Sequence, residues 1–205
     1  MKKSISNVLE KLEKQSTLER LRKVDIAPED RMLAITKETG ELLNMILRLK
    51  NAKNMLEVGT STGYSTIWCA EAIYEQSGKI ITIEQNLNKI KKAKENFQKA
   101  GIVDVITIKK GLAMQILQEL NLQKKYHQFF DFVLIDADKE NIKEYFDLIL
   151  PMVSVGGVIM TDNMLLPEKY KQDMKKFSDY LKKNPNLRTI TTPIGNGEEI
   201  TIKLK

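Results

Sequence analysis

The chain has 205 residues, 42% of them hydrophobic and 29% charged, with a net charge of +6. That is the make-up of one soluble globular domain with a real core, not of a disordered tail. No apolar run approaches bilayer-spanning length, and Met1-Lys2-Lys3 leads into polar residues rather than a signal-peptide core. A single cysteine, Cys69, excludes an internal disulfide and fits a reducing, cytoplasmic setting.

In chain order, residues 1–50 read as a helical extension. Pro28 suits a first helical turn, and Ile35, Leu42, Ile46 and Leu49 follow the spacing of one buried helical face. Residues 51–205 read as the core of a single domain spanning 1–205. Apolar runs at 54–58, 79–83, 103–108, 131–135 and 156–161 predict strands, with helices at about 63–76, 86–100, 111–122 and 140–150 between them. That alternation implies a parallel sheet with right-handed crossovers. A helix over 167–183 precedes two alternating runs, Leu187–Ile194 and Glu198–Leu204, joined by Gly195-Asn196-Gly197. An Asn-Gly turn between such runs signals an antiparallel hairpin. The expected fold is therefore α/β, with a seven-stranded sheet covered by helices on both faces.

The first predicted strand ends at Glu57-Val58 and enters the loop Gly59-Thr60-Ser61-Thr62-Gly63 before a helix begins. Bare backbone and a carboxylate at the carboxyl edge of such a sheet suit a nucleoside ligand. Ser61 stands where a pyrophosphate-binding G-x-G-x-x-G loop needs its middle glycine. The loop resembles motif I of the class I S-adenosylmethionine (SAM) methyltransferases, which implies a Rossmann-like fold. About twenty residues on, Glu84 ends the second strand, where a carboxylate can accept hydrogen bonds from ribose hydroxyls.

Further acids close later strands: Asp136-Ala137-Asp138-Lys139 and Asp162-Asn163. Adjacent parallel strands would bring Asp136 near Asp162 and Asn163. Hard oxygen donors without histidine or thiolate favour Mg²⁺ or a similar ion. His127, the only histidine, gives no zinc site on its own. Asp-Ala-Asp-Lys followed by Asp-Asn resembles the cation-dependent O-methyltransferases of the catechol and caffeoyl-CoA type, over about residues 28–205. That resemblance implies Asp136, Asp162 and Asn163 as metal ligands and Lys139 as general base. It also implies a SAM site drawn from Met32, Glu57, Gly59, Thr60, Gly63, Ser65, Glu84, Gln85, Ala113 and Asp136, and a homodimer. Leu112 replaces a residue that is often polar in relatives, and Met164-Leu165-Leu166 lacks their tryptophan.

A metal that chelates its acceptor requires two vicinal oxygens, as in a catechol-like small molecule. A 5-hydroxyuridine of tRNA presents the same pair and is the alternative acceptor. The charge is uneven: residues 1–24 and 168–188 each carry seven basic and three acidic groups. Without interleaved aromatics a solvated lysine surface explains this better than a nucleic-acid-binding module with a vestigial pocket. A nicotinamide dehydrogenase is disfavoured by the missing glycine.

Overall fold

A computed structural model describes residues 1–205. Five strands, β1 (Asn54–Val58), β2 (Lys79–Glu84), β3 (Ile106–Lys110), β4 (Phe130–Ile135) and β5 (Val153–Asp162), run parallel. Two more, β6 (Leu187–Thr192) and β7 (Glu198–Lys203), form the hairpin, and β7 pairs antiparallel with β5. The order is β3-β2-β1-β4-β5-β7-β6, the seven-stranded arrangement that the alternating pattern predicts. Strand β4 reads Phe-Asp-Phe-Val-Leu-Ile because it is buried on both faces, with Phe132 to Ile135 fully enclosed.

Helices α1 (Lys3–Arg20), α2 (Lys37–Lys50), α3 (Tyr64–Glu75) and α4 (Leu87–Ala100) share one core with one face of the sheet. Helices α5 (Ala113–Asn121), α6 (Ile142–Ile149) and α7 (Lys171–Lys182) share a second core with the other. No helix is long and apolar enough to cross a membrane.

Three expectations are corrected. The first 50 residues are not one helical run: residues 21–36 are irregular apart from a single 3₁₀ turn at Pro28–Asp30, so Pro28 opens a turn rather than α2. The true start of α2 is Thr36, whose hydroxyl accepts the Thr39 N–H at 3.2 Å, an N-cap. The buried face of α2 is Thr39, Gly40, Leu43 and Leu47, whereas Leu49 is 81% exposed. The helix carries two apolar rows, and the one beside Gly40 wins. A Cβ at Gly40 would lie 2.5 Å from the Trp68 ring, so this glycine lets α2 approach α3 closely. Finally, Val103–Val105 forms a 3₁₀ turn, and β3 starts only at Ile106.

Candidate active site

The carboxyl ends of β1, β2, β4 and β5 meet at one edge of the sheet, and the loop after β1 forms its centre. Gly59 has φ +105°, and a Cβ there would sit 1.9 Å from the Asp136 carbonyl oxygen. Gly63 has φ +90°, and its Cβ would strike the Phe97 ring at 2.4 Å. Both positions therefore require glycine for conformation and for space. The Gly59 and Thr60 N–H groups donate to the Ile83 carbonyl at 3.1 Å, which ties the loop to the end of β2.

Glu57 lies beneath this loop rather than on it. It is fully buried and accepts from the hydroxyls of Ser65 (2.6 Å), Thr66 (2.5 Å) and Thr82 (2.5 Å). Burial pushes its carboxyl above the usual range, against those hydrogen bonds. Glu57 and Ser65 were expected to face the cofactor; here they brace the loop against α3 and β2. Thr60, also buried, shares a 2.6 Å hydrogen bond with Thr82. Met32 is likewise enclosed, 1% exposed, and meets the loop through its backbone carbonyl, which accepts from the Ser61 hydroxyl.

Glu84 does stand on the edge. One oxygen accepts the N–H groups of Gln85 and Asn86, each at 2.9 Å, and the other accepts the Ser61 N–H at 2.8 Å. These backbone donors fix the carboxylate beside the glycine loop. Gln85 is exposed just past it, and Ala113 opens α5, partly buried, after β3.

The second half of the site is acidic. Asp136 follows β4 and Asp162 ends β5, with Ile135 paired to Thr161 in the adjacent register. Burial and the Asp162 charge push the Asp136 carboxyl up to about 7, with Lys139 opposing. Asp162 is 1% exposed and accepts the Asn163 backbone N–H at 2.7 Å and its side-chain amide. Asn163 takes φ +66°, a left-handed conformation that asparagine tolerates better than most residues. The β6–β7 turn holds it there, because the Asn196 and Gly197 carbonyls accept the N–H groups of Met164, Leu165 and Leu166 at 2.9–3.0 Å.

Lys139 is 7% exposed, its Nζ lies 3.9 Å from Asp136 Oδ1, and it makes no hydrogen bond. Asp138 sets that position. It accepts the Tyr145 hydroxyl at 2.6 Å and the Asn141 side-chain amide at 2.6 Å, which folds the 136–141 loop back on itself. A buried ammonium with no hydrogen bond, 3.9 Å from the Asp136 carboxylate, marks a place built for something else.

No group of three or more Asp, Glu, His or Cys side chains shares a metal-holding geometry, so a cation here needs Asn163 as its third protein ligand. Two carboxylates and a carboxamide are hard oxygen donors that fit such an ion. Burial is the larger cause of the Asp136 rise, and the Asp162 repulsion that adds to it is what a cation would relieve.

One residue of this edge is not evident from the sequence pattern. Glu198, the first residue of β7, pairs in register with Asp162, is fully buried, and accepts the Thr39 hydroxyl at 2.8 Å. Burial and the Asp162 charge push its carboxyl up to about 11. The clue was available: in an antiparallel strand the first residue, not the last, reaches the edge where parallel strands end. A separate cavity of about 340 Å³ lies between α1 and residues 34–38, lined among others by Arg20, Lys37 and Tyr64. None of the strand-edge carboxylates borders it.

A glycine loop after β1, a carboxylate after β2 and the 3-2-1-4-5-7-6 sheet define a SAM-dependent methyltransferase. Comparison with known proteins narrows the class. The O-methyltransferase family matches residues 9–204, and the chain belongs to that family. Caffeoyl-CoA O-methyltransferase 2 of Populus trichocarpa is 32% identical over 189 residues, 85% of this chain and 76% of that protein. The Medicago sativa caffeoyl-CoA O-methyltransferase is 32% identical over 203 residues, 92% of this chain and 82% of that protein. Among solved structures, the O-methyltransferase TomG of Streptomyces achromogenes, in complex with SAM, superposes with a TM-score of 0.79 at 25% identity. The match covers 100% of this chain and 91% of that one. An O-methyltransferase from Bacillus cereus in complex with SAH gives 0.75 at 26% identity, covering 96% and 90%. The protein is therefore a SAM-dependent O-methyltransferase of the caffeoyl-CoA type.

Proposed function

We propose that the protein methylates one hydroxyl of a small, catechol-like acceptor whose two vicinal oxygens are chelated by a divalent cation, most simply Mg²⁺. The observation that carries this reading is the Lys139 ammonium, buried, without a hydrogen-bond partner, and 3.9 Å from Asp136. Asp136, Asp162 and Asn163 would hold the cation. When bound, a divalent cation lowers the pKa of a coordinated hydroxyl. Lys139 Nζ would take up the acceptor hydroxyl's proton from its enclosed position in the fold. Glu84, fixed by three backbone N–H groups, takes the ribose hydroxyls of SAM. SAM supplies the methyl group from its sulfonium centre. The residues around it contribute mainly alignment, because in-line transfer depends on near-attack geometry.

The test is methyl transfer from radiolabelled SAM to a catechol and, separately, to hydroxyuridine-containing tRNA, each with Mg²⁺ or EDTA. Label in the catechol that disappears with EDTA is the expected result. Equal labelling in EDTA removes the cation from the reaction, and label in the tRNA alone replaces the acceptor. The cofactor half has its own check. Glu84→Ala is expected to weaken SAM binding by about 1.5–3 kcal/mol, the scale of hydrogen bonds to a charged acceptor. Unchanged affinity by calorimetry would take Glu84 out of the cofactor site.

A further inference from the structure

The chain buries three glutamates completely, and it treats one of them differently. Glu57 and Glu199 each accept three side-chain hydroxyls, from Ser65, Thr66 and Thr82 in one case and from Ser178, Thr189 and Thr191 in the other. Glu198, equally buried, has one such donor: Thr39 reaches Oε1 at 2.8 Å, and Oε2 makes no hydrogen bond. Leaving a buried carboxyl oxygen unpaired is costly, and native folds rarely do so without a use for it.

Its surroundings say what the use is. Glu198 stands directly opposite Asp162 in the antiparallel β5–β7 register, so their side chains leave the sheet on the same face. On the far side, Thr39 is immobilised. A Cβ on Gly195 would lie 2.2 Å from its hydroxyl and 2.8 Å from that of Thr36, so the β6–β7 turn is pressed against the start of α2. The unpartnered Lys139 ammonium lies across the same edge, beside Asp136.

We infer that Glu198 is a positioning residue of the cation site. It braces the Asp162 carboxylate from behind and anchors it, through Thr39, to the first turn of α2. Partners of this kind, which touch a ligand rather than the ion, orient it and tune its affinity. The inference rests on the proposed cation site of Asp136, Asp162 and Asn163.

The experiment measures Mn²⁺ binding to the metal-stripped full chain by electron paramagnetic resonance, for the wild type, Glu198→Leu and Glu198→Gln. Calorimetric binding of S-adenosylhomocysteine and thermal melting serve as controls. Leucine removes both hydrogen-bonding arms, whereas glutamine keeps an oxygen for Thr39 and an amide for Asp162. Glu198→Leu is expected to bind Mn²⁺ at least about tenfold more weakly and Glu198→Gln within about threefold of wild type, the range measured for outer partners of metal ligands. Cofactor affinity and melting temperature should hold in both. Wild-type Mn²⁺ affinity in Glu198→Leu overturns the inference, as does a glutamine variant no better than leucine. A parallel loss of cofactor binding or stability also overturns it, by assigning Glu198 to the fold alone. Failure of the wild type to bind Mn²⁺ overturns the cation reading itself, a separate result.

Discussion

Lys139→Met is expected to lower kcat by about 10²–10⁴-fold, the usual contribution of a positioned general base, while SAM binds as before. Methionine follows the lysine stem as far as Cε, unbranched and apolar, and fills most of the same enclosed space. The ammonium it removes has no hydrogen bond to lose, only a 3.9 Å contact with Asp136. The fold should therefore tolerate the change, and a normal melting curve beside lost turnover separates chemistry from stability. The loss should persist at saturating acceptor, because a base that acts during proton transfer affects kcat and kcat/KM together. Near-wild-type turnover would assign proton removal to solvent.

Gly59→Ala is expected to be strongly damaging, since an added Cβ makes a closer contact here than at any other glycine in the chain. The residue has φ +105°, outside the comfortable range of any side chain, and its new methyl would overlap the Asp136 carbonyl oxygen at 1.9 Å. Both partners are backbone, so no rotamer can relieve the clash; either the loop or the end of β4 must shift. Left-handed strain costs about 1–2 kcal/mol and overpacking about 1–3 kcal/mol. A total near 3 kcal/mol corresponds to roughly 6–12 °C of melting temperature in a chain of this size. Because the displaced neighbour is Asp136, the variant should lose cofactor binding and turnover together. A melting temperature within about 2 °C of wild type would mean that the loop has room the geometry denies it.

Much of this architecture was legible in the residues. Runs such as Phe132-Val133-Leu134-Ile135 suit strands buried on both faces, and Gly195-Asn196-Gly197 marks the hairpin. Glu57, Glu84, Asp136 and Asp162 were visible as strand-end acids, and the fold brings their strand ends to one edge. What the sequence hid was the direction each side chain takes. Glu57 lies one residue before the end of β1, and its oxygens turn inward to hydroxyls 8, 9 and 25 residues away, whereas Glu84 closes β2. Those partners meet only once β2 and α3 are packed. Glu198 is not legible as an edge residue because β7 runs antiparallel, so its first residue rather than its last reaches the edge where the parallel strands end. The face of α2 was misread because Leu42 and Leu49 compete with Leu43 and Leu47, and tertiary packing beside Gly40, rather than periodicity, decides between the rows.

The hydrogen bond from Thr39 to Glu198 spans 159 positions of the chain. A contact of such separation repays its loop-closure entropy only after the intervening sheet exists to hold its ends together. The pairing of β1 with β4 spans about half that separation, so the strands that carry the glycine loop can associate without it. The acidic edge cannot, because β7 lies between β5 and β6 in the sheet and its first residue meets α2. The nucleoside-binding half can therefore form first, and the reactive half is complete only when the β6–β7 hairpin has docked.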